Sequence, residues 1–435
     1  MTGLGLDLLE AVLRWLFVGY AALVLAHLVL QVGCAAVAAR RASAAHRVAL
    51  VRTATRTEWP SVDVVVPVYN EHPDDLDRCL ASLAVQDYPG QVQVYVVDDG
   101  SPNRADVLGV LERYGNRPGW HVLLPAENRG KRHAQDHAVR AGSSDLVLTI
   151  DSDTQVAADG ITRMVEQFDD AAVGAATGSV RVSNAATNLL TRLVDLRYWV
   201  AFHQERASHS LFGAVLCCSG PLSMYRREVL DVMWHRYMAQ TFRGKRCTYG
   251  DDRHLTNLVL GEGHRTRFAP YARCITSAPT TVDAYLRQQA RWNRSYYREL
   301  LWTLAFLPRL SRVMAVEVAI QAVLPFLLTL AVLATLIRAV TESPQVLLRY
   351  ALVVGVMAVI HCLYGLVRTR DWRFLLFIGY GFLHAALLIP VRIRALTTLT
   401  DSGWGTRTGD ATAAGSTAGT DAEVGTAVGA GAVGA

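Results

Sequence analysis

The chain has 435 residues, 51% hydrophobic and only 19% charged, so it has room for one large soluble domain and several membrane spans. Its formal net charge of +5 is a mild excess of Arg, clustered beside apolar runs, which suits anionic lipid and nucleotide phosphates and excludes duplex nucleic acid as the expected partner. Its seven irregularly spaced cysteines match neither a small-domain disulfide framework nor a zinc site.

The first predicted element is an apolar run from about Trp15 to Ala39. At about 1.5 Å per residue this run crosses a hydrocarbon core of roughly 30 Å, so residues 1–40 are predicted to hold one transmembrane helix. A cleavable signal peptide is the alternative, but the run is too long for one, and acidic residues interrupt the basic start that such a peptide needs.

Arginines crowd the next segment, residues 41–60, which is predicted to be a basic juxtamembrane linker. Because positive residues favour the inner side of a membrane, the domain that follows is expected in the cytoplasm, in a multi-pass protein of the cell (plasma) membrane.

Residues 61 to about 280 alternate between short β runs and helical stretches, the β runs being VDVVVPVY, VQVYVVDDGS, HVLLP and DLVLTIDSD. Continuous Val-rich runs separated by helices predict an α/β fold with a mainly parallel sheet covered on both faces, assigned to residues 61–300. Ligands of such sheets bind beyond the carboxyl ends of the strands, which is where the acidic clusters DDGS and DSD fall.

Two segments have the composition of a nucleotide site. Asp98 and Asp99 close the second run, where their carboxylates would accept hydrogen bonds from a uracil imide or a ribose; a plain strand-end turn is the alternative. Lys131 and Arg132 belong to NRGKR, where three cations surround one glycine and suit a diphosphate. A solvated basic loop is the alternative there.

Asp151 and Asp153 flank one serine in TIDSDT, after a Val/Leu/Ile run. Alternate side chains of an extended segment point to the same side, so the two carboxylates are expected to need a cation between them. Mg²⁺ or Mn²⁺, shared with phosphate oxygens and water, is the natural ion. A turn or a helix N-cap is the alternative.

Residues 188–216 interleave apolar with basic or polar residues at helical spacing. The pattern predicts either an amphipathic helix on the bilayer surface or an ordinary surface helix of the α/β domain.

Asp251 and Asp252 in YGDDRHLTN precede an apolar helix. One carboxylate would be a general base and the other would be held by neighbouring cations, with helix capping as the alternative.

Gln288, Arg291 and Trp292 lie at i, i+3 and i+4, hence on one helical face. There the Arg would meet a diphosphate while the Trp stacks on a sugar or base; an interfacial aromatic anchor is the alternative.

Residues 301–400 are predicted to form transmembrane and interfacial helices from three apolar stretches. The stretches near 313–337 and 346–367 are predicted spans, whereas 374–397 is expected to be re-entrant or interfacial around Pro390, because a third span would place arginines outside. Residues 401–435 are Gly, Ala and Thr with a few acids and are expected to be disordered.

In their order along the chain, DDGS, NRGKR, DSD, CCSGPLSMYRREV, GDDRHLTN and QQARW resemble the hyaluronan synthase family of processive inverting membrane glycosyltransferases, which are related to chitin-oligosaccharide and cellulose synthases. The likeness runs from about Val62 to Leu300, and WGTR at Trp404–Arg407 extends it. The segment TNLLTRLVDLRY is also typical of that family.

The resemblance implies a GT-A-like domain that uses Mg²⁺ or Mn²⁺. It further implies inverting transfer of sugars from UDP-GlcNAc and UDP-GlcUA to a growing polysaccharide, which is exported through the lipid bilayer. The roles it implies are uracil contact by Asp99 or Asp98, metal binding by Asp153, base catalysis by Asp252, an acceptor and nucleotide site lined by Gln288, Arg291 and Trp292, and an acceptor-side wall at Cys218 and Ser219.

Two alternatives remain. A chitin-oligosaccharide synthase using UDP-GlcNAc alone has similar GDDRHLT and QQxRW motifs, while SGPLSMYRREV and WGTR favour the hyaluronan side. A catalytically inactive membrane scaffold is the other, against which the intact motifs argue. On the hyaluronan reading, Arg253, Lys131 or Arg294 is expected to pair with the glucuronate carboxylate.

Overall fold

The computed structural model describes residues 3–401 and residue 403. A long helix, α1 (Gly3–Thr55), leads into an α/β domain, and a group of apolar helices follows. Apart from positions 401 and 403, the tail predicted to be disordered lies outside the described residues, as does Trp404–Arg407.

The Val-rich runs form the centre of an eight-stranded sheet with the order β3-β2-β1-β4-β7-β6-β10-β5, while β8 and β9 pair separately. The strands are β1 (Val62–Val68), β2 (Val92–Asp98), β3 (Trp120–Leu123), β4 (Leu146–Thr149), β5 (Gln155–Val156), β6 (Val173–Val182), β7 (Ser223–Arg226), β8 (Thr241–Phe242), β9 (Lys245–Arg246) and β10 (Arg265–Thr276).

Strands β3, β2, β1 and β4 are parallel neighbours, and β6 is parallel to β10. Strand β7 runs antiparallel between β4 and β6, and β5 is antiparallel to β10. The predicted GT-A-like, mainly parallel sheet is confirmed.

Helices cover both faces of the sheet. They are α2 (Pro73–Ala84), α3 (Arg104–Gly115), α4 (Lys131–Ala141), α5 (Gly160–Val165), α6 (Leu189–Val200), α7 (Ala207–Ser210), α8 (Arg227–Met238), α9 (Asp251–Gly261) and α10 (Val282–Phe306). On one face Val64 of β1 belongs to the same core as Leu80 of α2, and on the other Val65 shares a core with Ala138 of α4. Strand β1 is therefore buried on both sides, which explains its uninterrupted Val-rich sequence.

Within the described residues, three helices are long and apolar enough to cross a membrane: α1, α11 (Arg312–Thr341) and α12 (Gln345–Thr369). After them come α13 (Phe377–Leu383), a π-turn (His384–Leu388) and α14 (Ile389–Thr397). The pieces Trp372–Gly381 and Ala386–Thr397 meet at 45°, as a broken span or a re-entrant loop does. The chain is therefore a membrane protein by the length and composition of these helices.

The structure corrects the prediction of a linker at residues 41–60, because α1 continues without a break to Thr55. Charged residues on one side of a helix do not end it, and Ala and Arg have high helix propensity. The end of α1 docks on the α/β domain, where Arg56 Nη1 lies 2.9 Å from Asp169 Oδ1 and the ring of His46 stacks on Tyr271 at 3.9 Å.

The predicted helical segment 188–216 forms α6, a π-turn (Ala201–Arg206) and α7. Its Trp199 packs edge-on against Phe374, at 4.9 Å between ring centroids, so the segment lies between the sheet and the apolar helices.

Candidate active site

The carboxyl ends of β1, β2 and β4 meet at one edge of the sheet, and hydrogen bonds join them. The backbone N–H of Asn70, just after β1, donates to Ser101 Oγ at 2.9 Å. Ser152 Oγ, after β4, donates to Glu71 Oε2 at 2.5 Å. Glu71 is a buried carboxylate that the sequence analysis missed, although NE follows the first Val-rich run just as DDGS and DSD follow the others.

Asp98 and Asp99 have different partners, and Asp99 is the one that holds the loop leading into α4. Asp98 is fully buried and bonded to the guanidinium of Arg104. Asp99 accepts from the backbone N–H groups of Arg129 at 3.1 Å and Gly130 at 2.7 Å, and burial raises the pKa of its carboxyl in spite of these bonds. A direct contact with uracil stays a prediction.

Lys131 joins two motifs that are a hundred residues apart. Its Nζ lies 2.7 Å from Asp151 Oδ1 and 3.1 Å from Asp251 Oδ2. Burial alone would lower the pKa of the ammonium, but the two carboxylates outweigh burial and hold it well above its usual range. A Cβ atom on Gly220 would lie 3.0 Å from Asp151 Oδ2 and 3.2 Å from Lys131 Nζ, so a side chain there would press on both ends of this ion pair.

The DSD segment is a turn closed by a 3.0 Å hydrogen bond from Thr154 N–H to the Asp151 carbonyl. The expectation of an extended segment with two alternating carboxylates is therefore wrong. Asp151 is bound to Lys131, whereas Asp153 Oδ1 accepts from Thr276 Oγ1 at 3.1 Å.

The oxygen donors at Asp153 fit a hard cation such as Mg²⁺ or Mn²⁺. Among the described residues, no group of three or more His, Cys, Asp or Glu side chains is arranged to hold a metal. A cation at Asp153 therefore needs most of its ligands from phosphate oxygens and water, which is the usual arrangement for Mg²⁺ in nucleotide sites.

The two carboxylates of GDD have different environments at the start of α9. Asp251 stays ionised, because Lys131 and Arg132 together outweigh burial and lower the pKa of its carboxyl. Burial and the charge of Asp251 raise the pKa of Asp252. Such a divergence between neighbouring carboxyls is what a charge-holding group beside a proton acceptor requires, so base catalysis by Asp252 stays a prediction that this electrostatic environment suits.

Cys217, which the sequence analysis missed, is a direct neighbour of Asp252. Its Sγ donates to Asp252 Oδ2 at 3.4 Å, while Asp252 Oδ1 accepts from the backbone N–H of Arg253 at 2.8 Å. Burial and the Asp252 carboxylate raise the pKa of the thiol to about 12, so it keeps its proton at neutral pH.

The predicted wall at Cys218 and Ser219 lies against α9 and the π-turn. Cys218 donates its backbone N–H to Thr256 Oγ1 at 2.8 Å, and Ser219 Oγ accepts from Arg206 Nη2 at 2.7 Å. Arg206 was also missed, because nothing in its local sequence indicates a contact thirteen residues away.

Gln288, Arg291 and Trp292 all lie on α10, so their predicted helical spacing is confirmed. Trp292 is 44% exposed, and its ring centroid is 6.3 Å from that of Tyr198. Within the described residues, Gln288 Oε1 is buried without a hydrogen-bond donor, so it can accept a hydrogen bond from a substrate group.

The structure does not bring Arg132 to the diphosphate position predicted for it. Its guanidinium is buried, stacks over the Tyr237 ring at 4.9 Å and bonds to Gln240. Adjacent helix residues point about 100° apart, so Lys131 faces the site while Arg132 faces the core. From its position in the core, Arg132 still helps to lower the pKa of Asp251.

Comparisons with known proteins agree with this geometry. A family model described as "Glycosyltransferase like family 2" matches residues 60–295. Proteins named N-acetylglucosaminyltransferase from Mesorhizobium japonicum and Sinorhizobium fredii are each 45% identical to the chain, over 80% and 79% of its length and 81% and 83% of theirs. A protein of that name from Azorhizobium caulinodans is 37% identical over 79% of the chain and 87% of its own length.

Among solved structures, a mannosyltransferase from Pyrobaculum calidifontis in complex with GDP-mannose and Mn²⁺ has a TM-score of 0.57. The likeness covers 87% of this chain and 99% of that one at 21% identity, and it establishes similarity of fold.

Proposed function

The chain belongs to glycosyltransferase family 2, and we propose that it is a processive, inverting N-acetylglucosaminyltransferase that builds a chitin oligosaccharide from UDP-GlcNAc alone. The names of the relatives at 45% identity favour this activity over the hyaluronan synthase expected from the motif order. We place the α/β domain on the cytoplasmic face of the plasma membrane, beside helices through which the product leaves.

The observation that carries the proposal is the pair of carboxylates at the start of α9. Inversion needs a base that takes the proton of the acceptor hydroxyl while UDP departs on the opposite side of the sugar. Asp252 has the raised pKa that this role requires, and Asp251 stays charged against Lys131. A divalent cation held at Asp153 would supply charge neutralisation to the departing diphosphate.

The cations near the base support a neutral donor sugar. A uronate carboxylate entering a partly dry site needs a cation that offsets its desolvation. Lys131 is bound to two carboxylates, and Arg294 Nη2 lies 3.1 Å from Asp401 Oδ2. The guanidinium of Arg253 stacks over the Tyr296 ring at 5.1 Å. Of the three cations that the sequence offered for glucuronate, two are thus ion-paired with carboxylates, and the third is stacked on an aromatic ring.

Trp292 supports binding of a growing saccharide. Aromatic rings present a flat apolar face to a sugar ring, and this one is 44% exposed beside Tyr198. Tyr198 belongs to α6, which packs against the apolar helices, so a chain held at Trp292 lies next to the membrane. This arrangement supports elongation and export at one place.

The test is incorporation of radiolabel by the purified full-length protein in detergent or liposomes. We expect product from UDP-GlcNAc alone, sensitive to chitinase, resistant to hyaluronidase and unchanged by UDP-GlcUA. A product that needs both donors and is cut by hyaluronidase would restore the hyaluronan assignment. Absence of any turnover with intact UDP binding would favour the inactive scaffold.

A further inference from the structure

Glu299 is a buried carboxylate to which the chemistry above gives no role. It lies on α10, two turns beyond Trp292, and is only 1% exposed. Its carboxylate accepts from Asn257 Nδ2 at 2.8 Å, contacts His254 Nδ1 at 3.2 Å and is bonded to Gln240 Nε2.

These partners lead to two of the catalytic segments. His254 and Asn257 lie on α9, within two turns of Asp251 and Asp252. Gln240 in turn accepts from the guanidinium of Arg132, the residue next to Lys131 on α4. One carboxylate on α10 therefore holds both α9, which carries the base, and the first turn of α4, which carries Lys131.

A buried charge of this kind is a poor choice for stability alone. An apolar side chain of similar size usually stabilises a protein as well or better, because it needs no desolvation of a charge. His254 adds to the cost, since within the described residues its Nε2 is buried without a hydrogen-bond partner and the ring faces Trp302 edge-on at 4.9 Å. The cluster instead supplies directional hydrogen bonds, which apolar packing lacks.

We propose that Glu299 is a positioning residue that sets the placement of Asp252 and Lys131 relative to the Gln288–Trp292 face of α10. The inference rests on the proposed glycosyl transfer. Because α10 carries the acceptor-facing Trp and α9 carries the base, a shift between the two helices changes the distance from the base to the acceptor hydroxyl. The same shift leaves the strand-end residues around Asp153 in place.

The hydrogen-bonded cluster around Glu299 also affects the ionisation of Asp251 and Asp252. Arg132 helps to keep Asp251 ionised, and the charge of Asp251 helps to raise the pKa of Asp252. Loss of the Glu299 charge frees Gln240 to turn, and Arg132 then loses a fixed partner. A change at Glu299 is therefore expected to move the pH dependence of transfer, which a purely structural residue would leave alone.

The experiment compares E299Q with D63N in the full-length protein. Asp63 is a matched control because, like Glu299, it is a carboxylate that is only 1% exposed. Its own partner is an arginine, with Asp63 Oδ2 2.6 Å from Arg227 Nη2, and it lies at the opposite end of β1 from the site. Thermal unfolding, UDP affinity, kcat, KM and the pH profile of kcat/KM are measured for each. Wild-type turnover is measured first, with whichever UDP-sugar the protein uses.

For E299Q we expect kcat to fall about 10- to 100-fold, as misplacement by an ångström does, with KM for the donor within about twofold and a displaced acid limb. For D63N we expect a lowered Tm with near-normal kcat and an unmoved pH profile. If E299Q fails to fold, E299D replaces it: the shorter side chain keeps the charge but weakens the contacts with α9 and Gln240, so kcat is again expected to fall, and a near-normal kcat would overturn the proposal.

Near-normal kcat in folded E299Q, or equal effects of E299Q and D63N on the pH profile, would overturn the proposal. Turnover of a sugar other than GlcNAc would overturn the proposed function while leaving the Glu299 comparison valid with that donor.

Discussion

The thiol of Cys217 donates to the carboxylate of Asp252 across 3.4 Å. A thiol is a weak donor, so it orients the carboxylate without supplying the strong hydrogen bonds that stabilise an anion. The raised pKa of Asp252 is consistent with that environment. Asp252 is thus oriented and still able to accept a proton, as the proposed base must be.

Replacing the base should separate binding from chemistry. We expect D252N to bind UDP with wild-type affinity and to lose transfer by about 10²- to 10⁴-fold, because the amide keeps the shape but cannot take a proton. Calorimetry with UDP and radiolabel incorporation measure the two properties. Weakened UDP binding with normal residual turnover would instead make Asp252 a binding or structural residue.

The pH dependence should follow the carboxylate pair. Asp252 must be ionised to act, so kcat/KM should fall as pH falls through its raised pKa, at a higher pH than for an ordinary aspartate. In D251N the neighbouring negative charge is gone, the pKa of Asp252 drops, and the acid limb should move to lower pH whatever the plateau rate. D145N, whose carboxylate is bonded to Ser61 far from the site, should leave the limb unmoved. An upward shift in D251N would contradict the assignment.

Metal dependence should centre on Asp153. We expect excess chelator to abolish transfer, Mg²⁺ or Mn²⁺ to restore it, and D153A to abolish both transfer and UDP-sugar hydrolysis, because the diphosphate charge is left uncompensated. D74A removes a side chain that is 72% exposed on α2 and serves as the control. Full wild-type activity in chelator would refute the metal.

Gly250 should be far less tolerant of a side chain than Gly263. Both have positive φ, at 82° and 88°, so alanine costs about 1–2 kcal/mol at either position. A Cβ on Gly250 would also collide with the side chain of Ser295, whereas nothing lies within 4 Å of one on Gly263. Overpacking adds about 1–3 kcal/mol, so Tm should drop more in G250A than in G263A. Equal Tm values for the two variants would mean that α10 shifts at Ser295 and makes room for the added methyl group.

The sequence predicted the parts of the site that depend on local pattern. Val-rich runs located the strands, and the strand-end rule placed Asp98, Asp99, Asp151 and Asp153 at one edge. Helical spacing placed Gln288 and Trp292 on α10. For these residues a few neighbours in the chain fix both the element and the side to which it points.

The rest depends on contacts between distant segments, which local pattern does not contain. Arg132 was expected beside Lys131 at the phosphates, but its orientation depends on Tyr237, a hundred residues later. Cys217, Arg206 and Glu299 owe their positions to partners on other elements. The motifs do not predict the donor sugar either, because those shared by hyaluronan and chitin-type enzymes reflect the chemistry of UDP and of the predicted base rather than the substituent on the sugar ring.

Helix α1 is a continuous connection between its own membrane-spanning segment and the α/β domain. Its 53 residues run unbroken from the apolar region to the clasp of Arg56 on Asp169, a length on the order of 80 Å. Adding one residue near Ala39 would rotate everything beyond it by about 100° and carry the His46 ring off Tyr271. Adding seven, about two turns, would bring the faces back nearly into phase yet lift the clasp about 10 Å farther from the bilayer. The number of residues in α1 is therefore expected to set the distance between the membrane and the α/β domain.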